Sequence, residues 1–253
     1  TMAKLTKQQS KNHDIACEVL KKEYLTYEDK QLVLDYWRED CTNNVGVAGA
    51  FFTPVGLARD FNIEIPSGCK RIIDMCAGIG TLALQVVETH RLNNEHIEMV
   101  CVELNPEYIE IGKKVIPEAT WVQGSMLDEE LIKSLGHFDC AISNPPFGRV
   151  VTGRSEHFLK YTGGEFEYKI IEIASIISDY GVFILPQQSC GFEYSGRQCF
   201  SKSETTKYKK FSQQTGLVLE MNCGFDTSCY VNDWHGVKPI VEIALCDFPS
   251  MYK

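Results

Sequence analysis

The chain has 253 residues, of which 44% are hydrophobic, a size that suits one large domain or one domain with an appendage. It contains no run of 18 apolar residues, which argues against a membrane partner and a membrane-spanning helix. The formal net charge of −9 means that any nucleic-acid-binding face must be a local basic patch. The eleven cysteines include no C-x-x-C pair, so we predict buried reduced thiols in a cytoplasmic protein.

The first part of the chain is polar and has the apolar spacing of helices. In "TYEDKQLVLDYWRED", Thr26 is a candidate N-cap, and one side of the following helix carries Leu32, Val33, Tyr36 and Trp37. We therefore predict a helical N-terminal extension over residues 1–48, followed by a second domain over residues 49–253. The extension would either cover the body of the protein or provide the docking site of a protein partner.

The rest of the chain alternates between two patterns. Seven short apolar runs are typical of strands: "KRIIDM", "IEMVCVEL", "ATWVQG", "FDCAIS", "YGVFILP", "GLVLEM" and "PIVEIALCDF". Helical stretches lie between most of them, and one has Asn105 as N-cap and Pro106 at its first position. This alternation predicts an α/β, Rossmann-like fold with a seven-stranded, mostly parallel sheet and helices on both faces. The last two strands lack an intervening helix, so we expect an antiparallel pair at one edge.

A glycine-containing turn follows the first predicted strand in "IIDMCAGIGTLAL". Gly78 and Gly80 allow a tight turn and close approach of a ligand to the backbone. Glu103 lies 23 residues beyond Gly80, at the end of the second strand, where an acid accepts hydrogen bonds from ribose hydroxyls. The turn has no third glycine of the kind that supports a pyrophosphate, so the pattern indicates a nucleoside ligand without a dinucleotide fingerprint.

The fourth predicted strand ends in "NPPF", residues 144–147. The two prolines stop ladder pairing and fix the local backbone, and they leave carbonyl groups as pure acceptors. Asn144 adds a side-chain carbonyl and Phe147 adds a flat apolar face. Acceptors beside an aromatic ring suit a planar molecule with an amino group, which would donate to Asn144 and to the Pro145 carbonyl while its ring stacks on Phe147.

Together these elements resemble the S-adenosylmethionine-dependent amino-methyltransferases, most closely the N6-adenine branch. The motifs that carry the resemblance are "DMCAGIG", Glu103, "NPPF" and the upstream "AGAFFTPVGLA". The F-x-T-P element is similar to the N-terminal cofactor motif of adenine-specific DNA methyltransferases. The resemblance implies S-adenosylmethionine as the cofactor, base flipping of the target adenine, and a catalytic set of Asn144, Pro145, Pro146 and Phe147. The six histidines show no metal-ligand spacing, so we predict no metal site.

The resemblance also implies the residues that hold the cofactor. Thr53 would offer its hydroxyl and backbone N–H to the methionine carboxylate, beside Phe51 and Phe52. The whole expected set is Phe51, Phe52, Thr53, Asp74, Cys76, Ala77, Gly78, Gly80, Glu103, Leu104, Ser125 and Met126. One departure is Ser125, where the family usually has an acid that contacts the adenine amine of the cofactor. Ser125, the Met126 backbone or Asp128 would have to replace it.

Several substrates and one non-catalytic role fit this pattern. Adenine in DNA is the leading interpretation, because of the F-x-T-P element. The alternatives are an adenine or guanine amine in RNA, glutamine in a protein, and a catalytically weak binding subunit. Position 147 is Phe, whereas the glutamine-modifying relatives have a tyrosine at the end of the motif.

Target recognition is weakly encoded, so we expect either relaxed recognition or a protein partner that supplies it. Two basic segments, 148–164 and 195–211, could contact phosphates. Their candidate residues are Arg149, Arg154, His157, Lys160, Arg197, Lys202, Lys207, Lys209 and Lys210. A further loop, 223–236, could contact a flipped base through Phe225, Tyr230 and Trp234, although loop aromatics more often pack on the body of a protein.

Overall fold

A computed structural model describes residues 6–38, 51–150 and 157–248. Its helices are α1 (Lys7–Val19), α2 (Tyr27–Tyr36), α3 (Val55–Asn62), α4 (Thr81–Leu92), α5 (Pro106–Val115), α6 (Glu129–Leu135), α7 (Phe166–Ile177) and α8 (Thr206–Thr215). Its strands are β1 (Arg71–Asp74), β2 (Glu98–Glu103), β3 (Thr120–Gln123), β4 (Phe138–Ser143), β5 (Ser178–Pro186), β6 (Phe192–Glu193), β7 (Ser201–Lys202), β8 (Glu220–Met221) and β9 (Val241–Asp247).

Seven of these strands form one sheet in the order β3-β2-β1-β4-β5-β9-β8. Strands β1 to β5 are parallel, whereas β9 runs antiparallel to both β5 and β8. The predicted fold class is therefore confirmed, including the antiparallel pairing of the last two strands. The outermost strand at this edge of the sheet is the two-residue β8, and β9 lies between β8 and β5.

The structure confirms the helix start and the helix end that the sequence predicted. Asn105 caps α5 by accepting the Glu107 N–H over 2.9 Å, and Pro106 occupies the first helical position. Gly136, with φ of 76°, ends α6. Helix α3 and the small β6–β7 ladder were not predicted; α3 has eight residues, and β6 and β7 have two residues each.

The hydrophobic core lies in two layers, one on each face of the sheet. Neighbouring strand residues point to opposite faces, so Ile72 belongs to one layer and Ile73 to the other. Helices α1 to α5 cover the first face, and α6 to α8 cover the second. This arrangement directs the carboxyl ends of β1, β2, β3 and β4 to one common edge, where ligands bind in open α/β sheets.

The N-terminal extension packs against the body of the protein. Ala16, Val33, Leu34 and Trp37 are buried in the same apolar cluster as residues of α3 and α4. Lys114 on α5 also donates to two backbone carbonyls of the extension. Of the two roles considered, these contacts favour covering the body. The expected boundary between residues 48 and 49 lies outside the described residues, so the division into two domains stays a prediction.

The cysteines that the structure describes are free thiols, but the predicted burial was wrong for Cys199, Cys223 and Cys229, which are exposed. Cys101, Cys140 and Cys246 are buried within β2, β4 and β9, and burial raises the pKa of Cys101. None of the helices in the described ranges combines the length and apolar character needed to cross a lipid bilayer.

Candidate active site

An open pocket lies at the carboxyl ends of the central strands. It joins the F-x-T-P segment to the ends of β1, β2, β3 and β4. Eleven of the twelve residues predicted to hold a cofactor line it or the small recess that continues it: Phe51, Phe52, Thr53, Asp74, Cys76, Ala77, Gly78, Glu103, Leu104, Ser125 and Met126. These residues are distant in sequence, and the parallel sheet brings them together.

Gly80 is the exception and does not line the pocket. It is buried, with φ of +94°, at the residue before α4. A Cβ atom there would lie 2.8 Å from the Ile116 side chain and 3.4 Å from the Trp121 ring. The glycine is thus required by the left-handed backbone and by close packing behind the pocket, and its expected role as a cofactor contact is not supported.

Glu103 is bound to the glycine turn. Its Oε2 accepts the Gly78 N–H over 2.8 Å, and its Oε1 accepts the N–H groups of Leu104 and Asn105, also over 2.8 Å. Burial raises the pKa of this carboxyl, and the three N–H donors offset part of that effect. The acid at the end of β2 is therefore fixed in place beside the pocket.

Asp74 is a buried acid in the recess that continues the pocket. Its side chain is 1% exposed, and within the described residues its Oδ1 has no hydrogen-bond partner. Burial raises its pKa to about 8; the Cys76 N–H acts in the opposite direction, and the nearby Glu103 adds to the rise. A buried acceptor without a donor is costly, so this oxygen is suited to a ligand that brings a donor or a positive charge.

Asn144 is held by the F-x-T-P segment. Its Nδ2 donates to the Phe51 carbonyl over 3.0 Å and to Thr53 Oγ1 over 2.9 Å. Asn144 lines both the main pocket and the recess. Among the described residues no group donates to Asn144 Oδ1 or to the Pro145 carbonyl, so both oxygens are available as acceptors.

The other three residues of NPPF differ in burial and in whether they line the pocket. Pro146 lines the pocket, whereas Pro145 is buried. Phe147 is half-buried and its ring centroid lies 6.5 Å from that of Phe51. Two apolar residues that sequence analysis missed, Val150 and Phe166, line the pocket on the NPPF side. Val150 lies three residues after NPPF in the chain, whereas Phe166 is the first residue of α7, which the fold brings to this place.

Ser125 occupies the position after β3 where the resembled family usually has an acid. It lines the pocket, and its Oγ accepts the Leu127 N–H over 3.2 Å. Asp128 does not replace the missing acid, because its carboxylate caps α6 by accepting the Glu130 and Leu131 N–H groups.

Three aromatic side chains contact one another beside the pocket. Phe52 contacts Tyr108 edge to face, with ring centroids 5.1 Å apart, and Trp37 lies 5.7 Å from both rings. Tyr108 lines the pocket and was not predicted there. Its place on the apolar side of α5 was the only sequence signal, and that signal does not distinguish a core residue from a ligand contact.

Three of the nine predicted phosphate-binding residues form ion pairs with glutamates in the part of the chain that the structure describes. Glutamates lie 2.5 Å from Arg197, 2.8 Å from Lys202 and 2.8 Å from Lys207. Lys210 lies 5.9 Å from the centre of the Tyr161 ring. Arg149, Lys160 and Lys209 are exposed, as is His157, and Arg154 lies outside the described residues. The ion pairs reduce the net positive charge of the 195–211 segment.

The loop aromatics pack on the body of the protein. Trp234 is 5% exposed within the first core layer, and Tyr230 donates its hydroxyl to Asp60 over 2.6 Å. Phe225 is half-buried against the same layer. These contacts favour a packing role over contact with a flipped base.

Part of the chain matches a known protein family. Residues 61–157 match the family model of the Methyltransferase small domain, a segment that includes the glycine turn, Glu103 and NPPF. A tRNA1(Val) (adenine(37)-N6)-methyltransferase from Tolumonas auensis is 24% identical over 124 residues, which cover 47% of this chain and 51% of that relative. The chain thus spans about half the length of the curated relative that it matches.

Two solved structures share the fold. A Listeria monocytogenes protein described as a class I S-adenosylmethionine-dependent methyltransferase has a TM-score of 0.61 at 13% identity, covering 98% of this chain and 82% of that one. The methyltransferase subunit of a type I restriction-modification system from Streptococcus thermophilus has a TM-score of 0.57 at 14% identity, covering 81% and 46%. The family match over residues 61–157 covers less than half of the chain, and the likeness to these two structures, at 13% and 14% identity, shows a shared fold.

Proposed function

We propose that the protein transfers a methyl group from S-adenosylmethionine to the N6 amine of adenine in DNA. The observation that carries the proposal is the state of Asn144. Its amide hydrogens are both used by the F-x-T-P segment, and its oxygen is left to accept at the pocket. An acceptor in that position suits an amino group.

The residues at the pocket fit the cofactor. Asp74 Oδ1 is a buried acceptor that receives no donor from the described part of the chain, which matches the ammonium of a methionine moiety. Glu103 stands at the end of β2, where a carboxylate receives ribose hydroxyls. Phe52, Tyr108 and Leu104 provide apolar surface for the remainder. When bound, this cofactor supplies an electrophilic methyl group on a sulfonium.

The protein's own groups would then act by positioning. Asn144 Oδ1 and the Pro145 carbonyl would accept the two hydrogens of the substrate amine and stabilise the positive charge that develops on its nitrogen. Holding that nitrogen in line for displacement is catalysis by orientation, and no strong base is required. Phe147 would stack on the base after it leaves the duplex.

The choice between DNA and RNA rests on two opposed observations. The F-x-T-P element favours DNA, since it resembles the cofactor motif of adenine-specific DNA methyltransferases. The Tolumonas auensis relative acts on tRNA, which favours RNA as the second candidate. The exposed Arg149, Lys160 and Lys209 could contact the phosphates of either polymer, and a protein partner would supply further recognition.

The test is an assay with methyl-labelled cofactor against separate pools of duplex DNA, single-stranded DNA, tRNA, ribosomal RNA and protein. Mass spectrometry of the digested products would identify the methylated nucleoside. We expect N6-methyl-deoxyadenosine, and we expect Asn144→Ala to abolish it while S-adenosylhomocysteine still binds by calorimetry. Label in N6-methyladenosine alone would establish RNA, label in protein would establish the glutamine alternative, and binding without turnover would establish a binding subunit.

A further inference from the structure

The amide of Asn144 is fixed in one orientation by two acceptors from the F-x-T-P segment. The Phe51 carbonyl oxygen carries no proton, so only the NH₂ side of Asn144 can face it at 3.0 Å. The second amide hydrogen points to Thr53 Oγ1 at 2.9 Å. A flipped amide would set two oxygens against each other and leave the Phe51 carbonyl without its donor.

Thr53 is itself held firmly. It is 6% exposed, so bulk water does not compete for its hydroxyl. Pro54 follows it and restricts its backbone to extended conformations. The contact joins positions 91 residues apart in the sequence, so it depends on the packing of the F-x-T-P segment against the end of β4.

We propose that Thr53 and the Phe51 carbonyl are positioning groups for Asn144, which fix its amide so that it offers the substrate an acceptor only. This inference rests on the proposed function and deepens it. With both amide hydrogens used, Asn144 has no donor left for a keto oxygen. The site would therefore select bases with an exocyclic amine and reject the matching 6-keto base. Sites built around one hydrogen bond reject an analogue that lacks it by as much as about 10⁴-fold.

The test compares Thr53→Val with Thr53→Ser at saturating cofactor. Valine has the shape of threonine without the acceptor, whereas serine keeps the hydroxyl. We expect kcat for Thr53→Val to lie about 10²-fold below that of Thr53→Ser, as for a misplaced catalytic group. Thr53 also lines the cofactor recess, so S-adenosylhomocysteine affinity is measured separately for each variant.

The outcomes are distinguishable. Equal kcat values for the two variants would overturn the positioning role, and so would a Thr53→Val defect confined to the KM for cofactor. A wild-type protein inactive on every pool would instead overturn the proposed function.

A measurement that does not use Thr53→Val remains valid if that variant fails to fold. In a sample with ¹⁵N-labelled asparagine, the Asn144 side-chain resonance is identified by its loss in Asn144→Ala. We expect its two amide protons to exchange with solvent more slowly than those of the exposed Asn94. Equal exchange rates would mean that the amide is not held, and the inference would fail.

Discussion

The Gly78 N–H donates to Glu103 Oε2 over 2.8 Å, so the glycine turn after β1 and the acid at the end of β2 form one rigid unit. The same carboxylate receives two further N–H groups from the start of the next connection. Phe52 lies directly over this turn, because a Cβ atom on Gly78 would be 3.1 Å from its ring. Cofactor binding in the proposed function therefore depends on this glycine having no side chain.

Gly78→Ala is expected to weaken S-adenosylhomocysteine binding by at least about tenfold, since it displaces Phe52 and strains a backbone with φ of +55°. Gly68→Ala is the matched control, because Gly68 also has a positive φ, +87°, but its Cβ would meet nothing within 4 Å. Both variants should lose about 1 kcal/mol of stability from backbone strain. Calorimetry that gives equal affinities for the two would contradict the steric argument.

Asp74 gives a pH-dependent prediction. Its pKa is about 8 in the folded protein, because burial disfavours the carboxylate, and its ordinary value is 3.8. Between these values the unfolded chain releases a proton that the folded protein keeps, so this group destabilises the fold progressively as pH rises from about 4 to about 8. Asp74→Asn removes the effect, and its stability relative to wild type should increase across that window.

Urea denaturation at several pH values would measure this difference, with the exposed Asp14→Asn as control. Asp74→Asn should also bind S-adenosylhomocysteine more weakly at pH 8, because the amide cannot pair with an ammonium group. A stability difference that is flat from pH 4 to pH 8 would show that Asp74 titrates normally.

Trp37 links the N-terminal extension to the pocket. It is 3% exposed and contacts both Phe52 and Tyr108. Trp37→Ala should lower the free energy of unfolding by about 3–5 kcal/mol and weaken cofactor binding, because Phe52 loses its support. Tyr24→Ala is the control on the same extension, since Tyr24 is 81% exposed, and it should change stability by less than about 0.5 kcal/mol. Unchanged cofactor affinity in Trp37→Ala would show that the extension contributes stability alone.

Much of the fold was predictable because its signals are local. Strand-helix alternation, the Asn105 cap and the Gly136 stop each depend on neighbouring residues, and the structure confirms all three. The pocket residues were also predictable, because the motifs follow strands whose carboxyl ends meet at one edge of a parallel sheet. The exception was Gly80, whose glycine serves packing against Ile116 and Trp121. A short motif cannot distinguish a glycine needed for a ligand from one needed for a neighbouring side chain.

The sequence by itself determined the fold class and the chemistry gathered at the sheet edge, since periodicity and motif spacing are properties of the chain. Only the tertiary structure decided how these groups are used. It set Thr53 against Asn144, paired Lys207 with Glu165, and left Asp74 Oδ1 without a donor among the described residues. Hydrogen bonds and ion pairs depend on which distant groups meet at about 3 Å, and that is set by packing rather than by the local pattern of residues.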